Sequence, residues 1–245
     1  MTIAKIKVTI TNININCSYY AFLKKGIKDV ATPGRKKNPK KTTATRNKML
    51  ETSYRLFSEK TIESVTMSEI ARESGYRDIT VYRYFNSKPA LVVSVAAWKW
   101  EQFQQENQSR RPEADFEGMT AAEIFEFYLD SFLELYKNHI DLLRFNQFFN
   151  VYVQSESMDE ETMKPYHEMI ERLQEKFHDM YLRGEKDKTI RLDCSEKEMF
   201  STTLHLMLAA ITRYAVGLVY IPENGFDPMK ELEAMKEALL LKYKN

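Results

Sequence analysis

Apolar side chains recur in this sequence with the 3.6-residue period of an amphipathic α-helix. Only 7 Gly and 7 Pro occur in 245 residues, so the connections between helices are expected to be short. The pattern therefore predicts an all-α fold. Its predicted helices are about Thr45–Lys60, Met67–Glu73, Asp78–Phe85, Ser87–Gln108, Thr120–Asn138, His139–Gln154, Glu161–Arg183, Ser195–Tyr220 and Asp227–Tyr243.

Positive charge is concentrated in the first third of the chain. Residues 1–88 contain 18 Lys and Arg against 7 Asp and Glu, a net charge of +11, whereas the remaining residues carry −10. A protein surface that neutralises phosphates releases counterions and so gains affinity for nucleic acid of any sequence. The first third is therefore predicted to meet a polyanion, and the rest is not.

Residues 1–44 are predicted to form a basic, flexible extension. Pro33, Gly34 and Pro39 interrupt any helix there, and the Lys and Arg residues of the segment Thr32–Lys41 repel one another. Two interpretations remain open at this stage. The extension is either a basic arm that enters the minor groove beside a main DNA site, or the product of a start codon assigned too far upstream.

Two short helices joined by a tight turn follow the first long helix. Thr66 has the position of an N-cap, with Glu69 three residues later, and Gly75 suits the positive φ of a turn between helices. The next helix directs Val81 and Phe85 toward the core and leaves hydroxyl and cationic side chains outside. This arrangement is typical of a helix-turn-helix, whose second helix enters the major groove of DNA.

The segment Val65–Leu91, VTMSEIARESGYRDITVYRYFNSKPAL, resembles the DNA-binding region of the TetR (tetracycline repressor) family. The resemblance extends over about Arg46–Trp98 and is most specific in VYRYF followed by SK. It implies a three-helix helix-turn-helix domain over residues 45–92. A helical domain for effector binding and dimerisation then follows over residues 93–245.

The family pattern, carried over residue by residue, implies two kinds of contact with double-stranded operator DNA. Phosphate contacts that set the register are expected from Thr66, Tyr82 and Lys88. Base edges are expected to be read by Ser68, Arg77, Asp78, Ile79, Thr80 and Tyr84. In such a site Arg77 bonds guanine O6 and N7, Asp78 accepts from cytosine N4, and Ile79 touches a thymine methyl.

The chain departs from the family pattern at three places. Thr61 stands where Gly usually ends the first helix, and a β-branched residue is poorly suited to a left-handed conformation. Arg77 and Asp78 occupy positions where Ser or Thr followed by Lys or Gln is common, so the helix cap shifts to Asp78 in one interpretation. The extension over residues 1–44 is longer than the usual arm.

The predicted domain over residues 93–245, the body, is rich in aromatic residues and contains polar groups that could orient an effector. Aromatic and polar side chains that could line an apolar ligand site are Phe145, Asn146, Phe149, Tyr152, His205 and Arg213. The alternative for most of these residues is a role in the core. A stripe with His167 and His178 is predicted to be a solvated charged face rather than a metal site, because its members are too far apart to converge on one ion.

The resemblance also implies a homodimer formed by the last two long helices, because two recognition helices must reach half-sites about 34 to 36 Å apart. Apolar residues assigned to that interface are Met207, Leu208, Ala210, Ile211, Ala215, Leu218, Leu232, Met235 and Leu239. The helix-turn-helix domain, residues 45–92, is the head of each subunit. A small-molecule effector that favours one conformer would change the separation of the two heads of the dimer and lower operator affinity. The predicted function is a transcriptional regulator that represses.

Other classes of protein fit the sequence less well. No GxSxG, P-loop, GxGxxG or HExxH spacing occurs, so no enzyme, cofactor or metal site is expected. The longest apolar run, Leu204–Ile221, contains His205 and Arg213, which favours a buried helix over a membrane span. Cys17 and Cys194 form no disulfide framework, which suits the cytoplasm. The alternative function is a helical small-molecule-binding protein whose head binds a protein partner.

Overall fold

A computed structural model of the chain describes residues 39–110, 116–218 and 226–245. These residues form nine helices and no strand, apart from an isolated bridge between Ile190 and Lys244, so the all-α prediction is confirmed. The helices are α1 (Pro39–Glu59), α2 (Met67–Ser74), α3 (Asp78–Tyr84), α4 (Lys88–Arg110), α5 (Ala121–Asn138), α6 (Ile140–Glu156), α7 (Glu160–Asp187), α8 (Glu196–Ala215) and α9 (Pro228–Tyr243).

The first three helices pack around a small apolar core. One face of α1 carries Met49, Leu50 and Phe57 into that core, as its spacing predicts. Ile70 of α2 and Val81 of α3 meet them and are fully buried. Helix α2 packs on both α1 and α3, so the two short helices are held at a fixed angle by shared apolar contacts.

Helix α4 belongs to both the head and the body. Its first turns bury Leu91, Val92 and Val95 beside α1, and the rest of the helix packs on α6 and α7. Trp98 is half-buried, and Trp100 is the more deeply buried indole. The helix therefore continues without interruption from the core of the head to the core of the body.

The body surrounds α5, which packs on α6, α7, α8 and α9. A second apolar cluster lies between α5, α7 and α9, where the ring of Phe125 meets those of Phe177 and Tyr243 edge to face at 6.4 and 5.7 Å. Gly184 of α7 lies against Ile190 in this cluster, and a Cβ at position 184 would overlap the Ile190 side chain. Within the described residues, every helix is too short or too polar to cross a membrane.

Two helix ends differ from the predicted ones. Helix α1 begins at Pro39 rather than Thr45, because proline is compatible with the first turn of a helix, where its missing N–H is not needed. Residues 39–44 of the predicted extension are thus helical, and residues 1–38 lie outside the described residues. Helix α8 ends at Ala215 rather than Tyr220, because Gly217 adopts a left-handed conformation with φ of 74°.

The apolar residues assigned to a dimer face on α8 and α9 mostly lie inside the protomer, so that assignment is wrong for them. Met207, Ile211, Ala215, Leu232 and Leu239 are all buried, and they pack in the two apolar clusters of the chain. The reason is that α8 packs on α5, α6 and α9, which requires an inward apolar stripe of its own. Of the residues assigned to the interface, Leu218 is 53% exposed, and Leu206 and Leu241, which were not assigned, are exposed as well.

Candidate nucleic-acid interface

The turn between α2 and α3 has the geometry of a helix-turn-helix. Thr66 caps α2, since its Oγ1 accepts from the Glu69 N–H at 3.1 Å. Gly75 closes the helix in a left-handed conformation with φ of 76°, and the Tyr76 N–H donates to the Ala71 carbonyl at 2.8 Å. Helix α3 follows within three residues, so the turn fixes its direction relative to α2.

Helix α3 has one buried face and one exposed face. Val81 is fully buried against the head, whereas the side chain of Ile79 is 77% exposed and that of Tyr82 is 48% exposed. Thr80 and Tyr84 are half-buried at the edge between the two faces. A seven-residue helix with a large apolar side chain pointing away from the core presents a surface suited to another molecule.

The sequence left the start of α3 open between Arg77 and Asp78. Arg77 is the N-cap residue, with an extended backbone and no side-chain cap hydrogen bond, and Asp78 is the first helical residue. Both side chains are exposed. The hydroxyl of Ser68 donates to Oδ2 of Asp78, so two residues assigned separately to base edges are joined to each other.

Two cations of α1 that the sequence analysis did not assign lie beside this surface. The guanidinium of Arg46 lies 5.3 Å from the centroid of the Phe85 ring, and the ammonium of Lys48 lies 5.5 Å from that of Tyr76. Both lie on the stretch of α1 next to the turn and α3. The signal that could have identified them is the extension of the basic segment into an amphipathic helix.

Lys88 contacts both the head and the body. Its Nζ donates to the backbone carbonyl of Glu63 at 3.1 Å and lies 5.9 Å from the centroid of the Tyr152 ring on α6. Partial burial lowers the pKa of Lys88. The ammonium is thus held at the joint between the loop before α2 and the body, and it retains donors for a further acceptor.

Helix α6 forms the surface of the body that meets α1. The Tyr54 hydroxyl donates to Oδ2 of Asp141 at 2.6 Å, and the Tyr54 ring lies 5.4 Å from that of Phe145. The rings of Phe57 and Phe145 are stacked, with their centroids 6.4 Å apart. Lys99 of α4 places its Nζ 4.3 Å from the centroid of the Tyr54 ring, so three helices meet at this tyrosine.

The residues predicted to bind a ligand divide into two groups. Phe145, Asn146, Phe149 and Tyr152 lie together on buried faces of α6, and the Phe149 ring packs 4.9 Å from that of Tyr166 on α7. The other two belong to α8. His205 is exposed and its Nδ1 lies 3.2 Å from Oγ of Ser201, and Arg213 is half-buried.

Several buried polar atoms in the described part of the body have no hydrogen-bond partner. They include Oδ1 of Asn146 and, from residues that the sequence analysis did not select, Nε1 of Trp100, Nε2 of Gln104 and Oγ1 of Thr212. Trp100 and Gln104 lie one turn apart on α4, which packs on α6. Buried polar groups in folded proteins normally have partners, so such atoms are candidates for orienting a ligand.

The two histidines of α7 are engaged separately. His167 Nδ1 lies 3.0 Å from Glu160 and His178 Nδ1 lies 2.8 Å from Glu196, and the two side chains are 44% and 51% exposed. Among the described residues, no three His, Cys, Asp or Glu side chains are grouped as metal ligands. The hydrogen bond to Glu196 raises the pKa of His178.

Comparisons with known proteins agree with this geometry. Residues 49–95 match the family described as bacterial regulatory proteins, tetR family. The chain is similar to two uncharacterized HTH-type transcriptional regulators of Bacillus subtilis (strain 168). It is 34% identical to YvdT over 58 residues, covering 24% of this chain and 30% of YvdT. It is 29% identical to YerO over 98 residues, which cover 40% of this chain and 33% of YerO.

These matches therefore span about a third of the length of each curated relative. The likeness of fold extends much further along the chain. The crystal structure of the transcriptional regulator FadR from Bacillus subtilis in complex with stearoyl-CoA superposes with a TM-score of 0.61 at 17% identity. That superposition covers 79% of this chain and 97% of FadR, so head and body together have the fold of that regulator.

Proposed function

We propose that this chain is a cytoplasmic repressor of the TetR family of bacterial regulatory proteins, that it binds a palindromic operator as a homodimer, and that a small-molecule effector releases it from DNA. One observation carries the proposal. Helix α3 follows the Gly75 turn and exposes Ile79 and Tyr82, and Arg77 is exposed at its start. A surface of this shape and charge is suited to the major groove.

The contacts with DNA divide by their chemistry. Thr66, Tyr82 and Lys88 hold phosphates and set the register, while Arg77, Ile79, Thr80 and Tyr84 face base edges. The half-buried positions of Thr80 and Tyr84 place them at the rim of this surface. Arg46 and Lys48 add positive charge beside α3, which increases affinity for duplexes of any sequence.

The proposed dimer uses the outward faces of α8 and α9. Leu206 is 47% exposed and Leu241 is 77% exposed, with small residues such as Ala209 and Ala238 also outside. An isologous contact of two helices from each subunit forms a four-helix bundle. The requirement for a dimer comes from DNA, because recognition helices must meet half-sites about one helical turn apart.

Effector release is proposed to act through α4 and α6. The buried atoms without partners on these helices, Nε1 of Trp100 and Oδ1 of Asn146, would orient a largely apolar ligand. The same helices contact the head through Lys88 and through Asp141. A ligand that favours one arrangement of α4 and α6 therefore shifts the population of head positions.

The proposal is tested by selecting bound duplexes from a random pool and measuring the affinity of the selected sequence at several salt concentrations. We expect a palindromic sequence whose affinity falls steeply with salt, because phosphate contacts release counterions. Arg77→Ala is expected to weaken binding to the selected duplex by about tenfold or more. The matched control is Lys164→Ala, which removes an exposed cation from α7.

Failure to enrich any duplex would contradict the proposal. Enrichment without a palindrome would contradict the dimer. A different result would favour a head that binds a protein partner. In that case the chain would bind an immobilised protein, and its affinity for random DNA would not depend on salt. Equal losses from Arg77→Ala and Lys164→Ala would exclude α3 as the reading helix.

A further inference from the structure

The hydroxyl of Ser68 on α2 donates to the carboxylate of Asp78 on α3, and both side chains are exposed on the surface proposed to meet DNA. From this pair we infer that Asp78 selects a base with an exocyclic amine, cytosine or adenine, at one position of each half-site. Ser68 is the residue that positions the carboxylate. The inference rests on the proposed function, because it assigns specificity within the same interface.

For DNA binding, the charge of Asp78 is unfavourable unless its carboxylate contacts a base. Asp78 is the acidic residue of α3, and the cations Arg77 and Arg83 lie on the same short helix segment. A carboxylate near phosphates is repelled by them, so it lowers affinity for duplexes in general. It contributes favourably only where it accepts a hydrogen bond from a donor on the DNA.

The donors available in the major groove belong to two bases. Cytosine presents its N4 amine and adenine its N6 amine, whereas guanine presents O6 and N7 and thymine presents O4. An ionised carboxylate is an acceptor only. Opposite guanine or thymine it would set acceptor against acceptor, so the sequence of the operator at this position is restricted to the amine-bearing bases.

Ser68 acts through Asp78 and does not itself donate to a base. The single proton of its hydroxyl is given to Oδ2 of Asp78, so that hydroxyl has no second proton for a base acceptor. The hydrogen bond restrains the rotation of the Asp78 side chain and leaves lone pairs of the carboxylate for an amine. A side chain oriented before binding loses less conformational entropy when the complex forms.

The experiment compares base preferences selected from a random pool by the full chain, D78N, S68A and a charge control. The control is E73Q, which neutralises an exposed acid on α2 that pairs with Arg72 and Arg55 at 3.3 and 3.6 Å. Since all the altered side chains are exposed, the variants are expected to keep the fold. A thermal unfolding curve for each variant checks this.

The unaltered chain is expected to select cytosine or adenine at one symmetric position. D78N lowers the discrimination at that position by about tenfold and increases affinity for random duplex, because a repelled charge is lost while the amide offers both a donor and an acceptor. S68A keeps the same preferred base with weaker discrimination, about threefold. E73Q changes affinity for random duplex without changing any base preference.

Two outcomes would overturn the inference while leaving DNA binding intact. The first is a D78N profile identical to that of the unaltered chain at every position. The second is an S68A profile in which the discrimination between bases at the Asp78 position is undiminished. That result would show that Ser68 does not position the carboxylate. A pool from which the unaltered chain enriches nothing contradicts the proposed function instead.

Discussion

The Tyr54 hydroxyl donates to the Asp141 carboxylate at 2.6 Å, across 87 residues of sequence, and so joins the first helix of the head to the first turn of α6. Burial raises the pKa of Tyr54, which keeps the hydroxyl protonated as a donor across the physiological range. This hydrogen bond lies beside the stacked rings of Phe57 and Phe145. The contact between head and body thus has an apolar centre and a polar edge.

Replacing Tyr54 with Phe removes this hydrogen bond and keeps the ring in place. We expect the free energy of unfolding to fall by about 1 kcal/mol, because Asp141 is exposed and water replaces its lost donor. Chemical denaturation with urea measures the change. Tyr82→Phe is the matched control, since Tyr82 is exposed and its hydroxyl stabilises nothing in the head. Equal effects of the two variants would show that the Tyr54–Asp141 bond contributes no stability.

Gly184→Ala should destabilise the body. The new Cβ would overlap Cγ1 and Cδ1 of Ile190, a fully buried side chain that has little room to move. Such overpacking costs about 1 to 3 kcal/mol. Gly118→Ala is the control, because nothing lies within 4 Å of a Cβ there. Adding Ile190→Val to Gly184→Ala is expected to recover part of the loss, and a further loss would rule out the steric cause.

The ion pair between His178 and Glu196 makes the packing of α7 on the start of α8 dependent on pH. The hydrogen bond to the Glu196 carboxylate, which the charged imidazole donates, raises the pKa of His178 above its ordinary value. Because the pKa is raised in the folded state, the stabilisation by this pair is fully present below the pKa of the unfolded chain. It is lost as the pH rises through the pKa of His178 in the folded protein. His178→Gln should therefore lower the melting temperature more at about pH 6 than at about pH 8.5.

The double variant His178→Gln with Glu196→Gln separates this pair from other effects of pH. If the two side chains act as a pair, Glu196→Gln lowers the melting temperature at low pH by less in the His178→Gln background than it does in the unaltered chain. Additive losses would indicate that each residue acts independently of the other.

Leu206→Glu tests the outward face of α8. A charge at an exposed apolar position does not disturb the protomer but opposes association of two such faces, because burying an unpaired carboxylate is unfavourable. Light scattering after gel filtration should show a dimer for the unaltered chain and a monomer for the variant. Leu182→Glu on α7, which is 38% exposed, should remain a dimer. Loss of the dimer in both variants would mean that the α8 face is not specific.

Local signals predicted most of the fold. Caps at Thr66, Thr120, Asp159 and Ser195 precede α2, α5, α7 and α8, and each predicted start lies within one residue of the observed one. These signals act within a few residues, so one sequence contains them in full. The predicted start of α1, at Thr45, was wrong because Pro39 begins a helix as readily as it interrupts one.

Contacts between helices could not be predicted in the same way. The partners of Ser68, Lys88 and Tyr54 depend on how helices are placed relative to one another, which periodicity does not specify. The proposed dimer face shows the same limit. Helix α8 has apolar residues on more than one side, and spacing alone does not tell that Met207 faces inward while Leu206 faces outward.

The length of α4 has a consequence for how the head of the protein is coupled to the body. Its 23 residues form a helix about 34 Å long. The helix begins at Lys88, near α3, and packs on α6 and α7 farther along. If the far end tilts by about 5°, the near end moves by about 3 Å, since displacement grows with the length of a stiff helix. Under the proposed mechanism, a ligand would need only a small rotation of α4 to move the proposed recognition helix out of register with its half-site.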